Sequence, residues 1–424
     1  MTPSAAPPSA PANAPHHHPI IRWQEGGQDC HARWRSERGA AVPKKVVLAD
    51  DTLSADVAYR LACEGTALLW RGDFQNARQL LQALGRRIDQ SARPGKRGRK
   101  QPPADAPPTA LGAQDAAAAA AADAAVKGFH LHRQAQAQRA RVLSMVLLSF
   151  SEDHGLTLRR SPDVRAACAQ GWGEPQPGDG ESVASLRELL GLISAYEWRK
   201  NGVEISALGA APHNRIYPHY GVFSPVRGEY VGLVAAAPLP GPAAALKAFD
   251  IGVGTGVISA VLARRGIQQV TATDTDPRAL ACAAANLQQL GVADRVRLAQ
   301  VNLFPEGRAD LIVCNPPWLP ARPSSPIEHA VYDEGSAMLL GFLKGLPAHL
   351  NPQGEGWLIL SDLAEHLGLR TRVQLLAAIA DAGLEVIGRL DTPPVHGKAT
   401  DSTDPLHAAR SVEITSLWRL ASRA

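Results

Sequence analysis

The stretch Lys247-Ala248-Phe249-Asp250-Ile251-Gly252-Val253-Gly254-Thr255-Gly256-Val257-Ile258-Ser259-Ala260-Val261-Leu262-Ala263-Arg264-Arg265-Gly266 reads as a strand, a glycine-rich turn and a helix. Glycines in such a turn let the backbone reverse sharply and approach a ligand with no Cβ in the way. Downstream, QVTATD, PRALACAAANLQQLG, RVRLAQVN and ADLIVCNPP alternate short apolar runs with amphipathic segments. GWLILSD, LEVIGRLD and EITSLWRL read as further strands, the last two as an antiparallel hairpin at a sheet edge. Strand and helix alternating in this way predict an α/β fold with a seven-stranded, doubly wound (Rossmann-like) parallel sheet.

The spacing of the glycines separates two ligand classes. A dinucleotide site needs G-x-G-x-x-G, with the pyrophosphate on the helix N-terminus. Here glycines stand at 252, 254 and 256, and Val257 takes the third dinucleotide position. The second strand ends at Asp274, where a carboxylate can accept both hydroxyls of a ribose; Asp274 can also cap the next helix, which Asp276-Pro277 suits as a start. After the third strand, Asn302 can accept a hydrogen bond through its amide oxygen. These positions fall at the carboxyl ends of successive strands and so share one crevice.

The fourth strand, Leu311-Ile312-Val313-Cys314, stops at Asn315-Pro316-Pro317-Trp318. The Asn315 side-chain oxygen and the Pro316 carbonyl can accept the two hydrogens of a planar NH₂ and turn its delocalised lone pair toward an electrophile. The prolines fix φ and aim that carbonyl, and Trp318 offers a flat face for a planar acceptor to stack on. No dedicated general base is needed, because the proton becomes acidic as the new bond forms.

With Asp250 ahead of the glycines and Asn315–Trp318 after the fourth strand, the region resembles class I S-adenosylmethionine-dependent methyltransferases of the methyltransferase small-domain family. It is similar both to the release-factor glutamine methyltransferases and to nucleic-acid amine methyltransferases with an N-P-P-aromatic motif. HYGVFSPVRGEYVGLV resembles the segment that closes over the cofactor, and AVYDEGSAMLLGFLKGLPAHLNPQGEGWLIL the stretch running into the fifth strand. The resemblance implies S-adenosyl-L-methionine as cofactor, held by Asp250, Gly252, Gly254, Gly256, Asp274, Asn302, Asn315 and Phe223. It implies methyl transfer at Asn315, Pro316, Pro317 and Trp318 to an amide or exocyclic amine nitrogen of a macromolecule. The acceptor is a protein glutamine or a base in RNA or DNA. The family's tetrapeptide usually ends in Tyr rather than Trp, and its P-R-x-x-T-E pattern is matched only loosely by Pro225-Val226-Arg227-Gly228-Glu229. Two other classes stay open: a dinucleotide-dependent oxidoreductase, and an inactive scaffold on a methyltransferase fold.

The remainder of the 424 residues sets the organisation. Residues 1–20 are Pro- and Ala-rich with little to bury and read as a disordered tail, in which His16–His18 are a weak metal candidate. Apolar periodicity predicts mostly helical regions over 21–92 and 129–210, the first with cap-type side chains at Asp50, Asp51, Thr52 and Ser54. Residues 93–128 read as a linker that opens on the basic run Arg93, Lys96, Arg97, Arg99 and Lys100, able to touch phosphates, and continues into an alanine tract with no apolar stripe. The α/β domain takes 211–424. A net charge of +4 names no nucleic-acid partner by itself. Five scattered cysteines, none in a C-x-x-C pair, point to a reducing cytoplasm without a disulfide framework or structural zinc. The sequence shows neither a secretory signal nor a membrane span.

Overall fold

The computed structural model describes residues 19–91, 111–225, 228–323, 328, 330–395 and 400–423. His16–His18, Val226-Arg227 and the basic run at 93–100 lie outside the described residues. The chain divides into two compact units. Of the described residues, 19–91, 141–165 and 174–189 form the first, and 111–140, 166–173 and 190–423 the second.

The first unit holds a sheet where periodicity predicts helices. Strands β1 (Ile20–Glu25) and β2 (Gln28–Trp34) are an antiparallel hairpin. Its two-residue turn is Gly26-Gly27, with φ of 58° and 80°, a left-handed pair that glycine adopts without strain. Along the chain then come β3 (Lys45–Ala49), α1 (Ala55–Cys63), β4 (Thr66–Trp70), α2 (Phe74–Ser91), α3 (Leu111–Leu143), β5 (Val146–Phe150), α4 (Arg165–Trp172), β6 (Ser182–Ser185) and α5 (Leu186–Asn201), of which residues 111–140, 166–172 and 190–201 fall in the second unit. The six strands pair in the order β1-β2-β6-β5-β4-β3.

The mostly helical expectation is corrected at particular points. Ser54 does cap α1, its hydroxyl accepting from Val57 N at 3.4 Å. The helix stops at Cys63 because Gly65 turns left-handed (φ 83°), and Thr66-Ala67-Leu68-Leu69-Trp70 emerges as a strand buried at every residue. Val146–Phe150 and Ser182–Ser185 are likewise strands at the end and the start of segments that read as helices. The alanine tract of the expected linker is helical, forming α3.

Besides those helical segments, the second unit holds a small ribbon of β7 (Val203–Glu204) and β8 (Arg215–Ile216), followed by α6 (Glu229–Ala236). Its large sheet is built from β9 (Lys247–Ile251), β10 (Gln269–Asp274), β11 (Val296–Gln300), β12 (Ala309–Cys314), β13 (Leu350–Ser361), β14 (Leu384–Thr392) and β15 (Thr415–Ser422). Helices α7 (Val257–Arg264), α8 (Pro277–Gln289), α9 (Ala337–His349), α10 (Leu363–His366), α11 (Arg372–Asp381) and α12 (His407–Arg410) connect them. The strand order is β11-β10-β9-β12-β13-β15-β14, with β9 to β13 parallel and β15 antiparallel to both neighbours.

Alternation along the central strands sends side chains to two cores. Ala248, Leu311, Val313, Trp357 and Ile359 join residues of α6 and α7 on one face. Phe249, Ile251, Ile312, Leu358 and Leu360 join α9 and α11 on the other. A strand covered on both faces carries apolar side chains on both, which is why β9 and β12 are short, mostly apolar runs interrupted within the strand only by Asp250 and Asp310. Covering both faces leaves the carboxyl ends of the parallel strands as the free edge for a site.

Candidate methyl-transfer site

Three loops at those strand ends build the site. After β9, Gly252 N and Val253 N both donate to Thr273 O, at 2.9 and 2.8 Å, so the glycine turn is pinned to β10. Gly254 N donates to Asp274 Oδ2 at 3.1 Å, and Asp276 N donates to Asp274 Oδ1 at 3.0 Å. Asp274 thus organises two loops and keeps further lone pairs for a ligand. The helix cap is Asp276 instead: its Oδ1 accepts from Arg278 N at 2.8 Å, with Pro277 in the first helical turn.

Two glycines have different reasons. At Gly254 (φ 51°) a Cβ would meet nothing within 4 Å, so its backbone is open for a ligand to approach. At Gly256 (φ 82°) a Cβ would come within 3.2 Å of Ala283 Cα, so this glycine serves the close packing of α7 against α8. Gly256 does not line the adjoining cavity.

A cavity of about 1010 Å³ opens across these loops. Gly252, Gly254, Asp274, Asn302, Phe223 and the whole of Asn315–Trp318 line it, so the sequence-derived residues from five separate segments converge on one space. Asp250 does not line it. Its side chain is fully buried, with Oδ2 accepting from Ser259 Oγ at 2.6 Å and Oδ1 without a hydrogen-bond partner. Burial lifts its carboxyl from the ordinary 3.8 to about 6. Burial also drives the Tyr230 phenol upward, and the Asp250 charge adds to that shift.

At the end of β12 the Trp318 indole Nε1 donates to Asn315 Oδ1 at 2.9 Å. Trp318 is partly buried and packs against both cores, so its ring is fixed across the two faces of the sheet. Leu319 N donates to Val331 O at 3.2 Å and Asp333 N to Leu319 O at 2.9 Å, laying residues 331–333 beside the tetrapeptide. The Asp333 carboxylate then accepts from Met338 N and Leu339 N at the start of α9.

Tyr332, Asp333 and Arg410 line the cavity and were not singled out in the sequence. AVYDEG carried a visible clue, an aromatic and two acids in an otherwise apolar stretch. Arg410 carried none. The lining holds Asp274, Asp276, Asp333 and Glu334 against Arg410, an acidic balance that suits a cationic ligand. Among the described residues, no group of three or more His, Cys, Asp or Glu could hold a metal ion, and no helix is long and apolar enough to cross a membrane.

Residues 213–373 match the family model of the methyltransferase small domain. The chain is 36% identical over 180 residues to a release factor glutamine methyltransferase of Cereibacter sphaeroides, covering 39% of this chain and 62% of that protein. It is 29% identical over 187 residues to a tRNA1(Val) (adenine(37)-N6)-methyltransferase of Shewanella amazonensis, covering 42% and 76%. A ribosomal protein L11 methyltransferase of Pelotomaculum thermopropionicum is 46% identical over 69 residues, 16% of this chain and 22% of the relative. The chain therefore spans less than two thirds of the glutamine and L11 methyltransferases it matches.

Proposed function

We propose that the second unit is an S-adenosylmethionine-dependent N-methyltransferase acting on a planar amide or exocyclic amine of a macromolecule. The observation that carries this reading is that Asn315–Trp318 and the Gly254–Asp274 pair line one cavity. S-adenosylmethionine, when bound, supplies an electrophilic methyl group and leaves as the neutral thioether. The residues present fit it: the open backbone at Gly254 admits close approach, Asp274 offers carboxylate lone pairs to a ribose, and the acidic lining suits a sulfonium and an ammonium. The unpartnered Asp250 Oδ1 beneath the turn adds negative potential on the same side.

Asn315 Oδ1 and the Pro316 carbonyl take the acceptor's two N–H bonds, which holds the nitrogen lone pair toward the methyl group. Trp318 borders the acceptor plane. Phe223 excludes water from the donor side. Both macromolecular classes named among the relatives, a protein glutamine and an RNA adenine, fit a planar NH₂, and action in the cytoplasm is part of the reading.

Calorimetry against S-adenosylhomocysteine and NADH, followed by tritium transfer from labelled S-adenosylmethionine to unmethylated bulk RNA and to a Gly-Gly-Gln peptide, tests the proposal. Binding of S-adenosylhomocysteine with transfer to one acceptor supports it. Binding of NADH alone would overturn it. Asn315→Ala is expected to cut turnover at least about 100-fold while leaving donor affinity within a few-fold, because the side chain acts on the acceptor.

A further inference from the structure

The donor cavity has a floor and a roof from distant parts of the sequence, and one buried side chain reaches both. The floor is the glycine turn, including Thr255, and the roof is the segment ending in Gly221, Val222 and Phe223. Asn286 of α8, 1% exposed, accepts from Tyr217 N through Oδ1 at 2.8 Å. Its Nδ2 donates to Thr255 O at 3.0 Å and to Tyr217 O at 3.3 Å. One turn earlier on the same helix face, Cys282 Sγ accepts from His219 N at 3.3 Å. Val222 packs on Ala279 and Cys282 of the same helix.

A carboxamide is suited to this place by its donor set. It is neutral, so burial carries no charge cost, and it presents an acceptor and two donors on one short side chain. An aliphatic residue could satisfy neither backbone segment, and a carboxylate would set a charge against two carbonyl oxygens.

We propose that Asn286 is a positioning residue for the donor site, fixing the roof segment 217–223 at a set height over Gly254 and Thr255 and thereby setting donor affinity. This rests on the reading that the cavity takes S-adenosylmethionine. Loss of the clamp acts on donor binding, because the acceptor side at Asn315–Trp318 is held by other bonds.

The test measures S-adenosylhomocysteine affinity by calorimetry and amide hydrogen exchange on the full chain for wild type, Asn286→Leu and Asn286→Asp. Asn286→Leu is expected to weaken binding about tenfold or more. The amides of Tyr217 and His219 should exchange faster in it, while those of β9 and α7 stay protected. The KM for S-adenosylmethionine should rise with kcat at saturating donor near wild type, a split that mere loss of fold does not produce. If the leucine variant lacks a cooperative thermal transition, the isosteric Asn286→Asp carries the same comparison, since it keeps an acceptor for Tyr217 N and loses the bond to Thr255 O. Folded variants that bind within twofold of wild type, or show unchanged exchange at 217–223, overturn the assignment of Asn286. A wild type that binds no S-adenosylhomocysteine overturns the donor reading itself.

Discussion

Asn315 Oδ1 already holds one hydrogen bond, from the Trp318 indole at 2.9 Å, before any acceptor arrives. An amide oxygen has two lone pairs, so the indole fixes the orientation of the carboxamide and leaves the second lone pair for the acceptor. Trp318→Phe keeps a flat ring and removes that N–H. It is expected to lower kcat about tenfold with unchanged affinity for S-adenosylhomocysteine; equal kcat for Phe and Trp would show that the indole bond does nothing for turnover. The motif and its place after the fourth strand were legible in the sequence, because N-P-P ends a strand and offers carbonyls. The indole bond was not, since nothing in a tetrapeptide tells whether a Trp turns its face or its N–H edge toward its neighbour. Asp250 shows the opposite limit: its position ahead of the glycines was legible, but its sealing under the turn is a matter of packing. Its folded value near 6 lies above the ordinary 3.8, so the folded chain takes up the proton more readily between those values. The ionised, buried carboxylate therefore costs stability above about pH 6, and the cost disappears as pH falls toward 4. Asp250→Asn should raise the unfolding free energy at pH 8 by up to about 3 kcal/mol, with the gap closing near pH 4. Urea titrations at the two pH values check this, and a gap that does not change with pH would refute it.

At the scale of elements, α3 shows what periodicity alone misreads. An alanine tract without a continuous apolar stripe has nothing obvious to pack, yet Phe129 near its end is 1% exposed in a cluster with Leu319, Leu363 and Leu406. Leu319 and Leu363 also line the cavity, so this helix supports the wall beside Trp318. One turn on, the Arg133 guanidinium lies 4.0 Å from the centre of the Tyr332 ring and 3.3 Å from Glu328. Phe129→Ala is expected to destabilise the second unit by about 3–5 kcal/mol through the void it leaves. Chemical denaturation measures that directly, and a loss below about 1 kcal/mol would mean that α3 merely rests on the surface. The parallel strands β9, β10 and β12 were legible because each is a short β-prone run closed by Gly, Asp or Asn, while β11 (VRLAQ) alternates apolar and polar residues at the sheet edge. In the first unit, β4 and β5 follow helices after a turn of two residues. Their leucines extend the helical period by coincidence, so only the left-handed Gly65 marks the change at β4.

At the scale of the molecule, the first unit's core gathers Ile21, Trp34, Leu69 and Leu147 and shares no residue with the two clusters flanking the seven-stranded sheet. Calorimetric unfolding is expected to show two transitions. S-adenosylhomocysteine at about 100 times its Kd should stabilise the second unit by about 2.7 kcal/mol and leave the other transition in place. A ligand shift shared equally by both transitions would contradict that assignment.

The strand order carries a further consequence, for the time course of synthesis. Residues 415–422 form β15, which lies inside the sheet between β13 and β14. β14 is made before β15 and, among the described residues, pairs with β15 alone. While a ribosome still holds residue 415 in its tunnel, β14 has no partner, and Val386 and Ile387 wait with an open strand edge. The loops after β9 and β10 can assemble by then. The sheet that supports them becomes whole only once β15 is there to join β13 to β14.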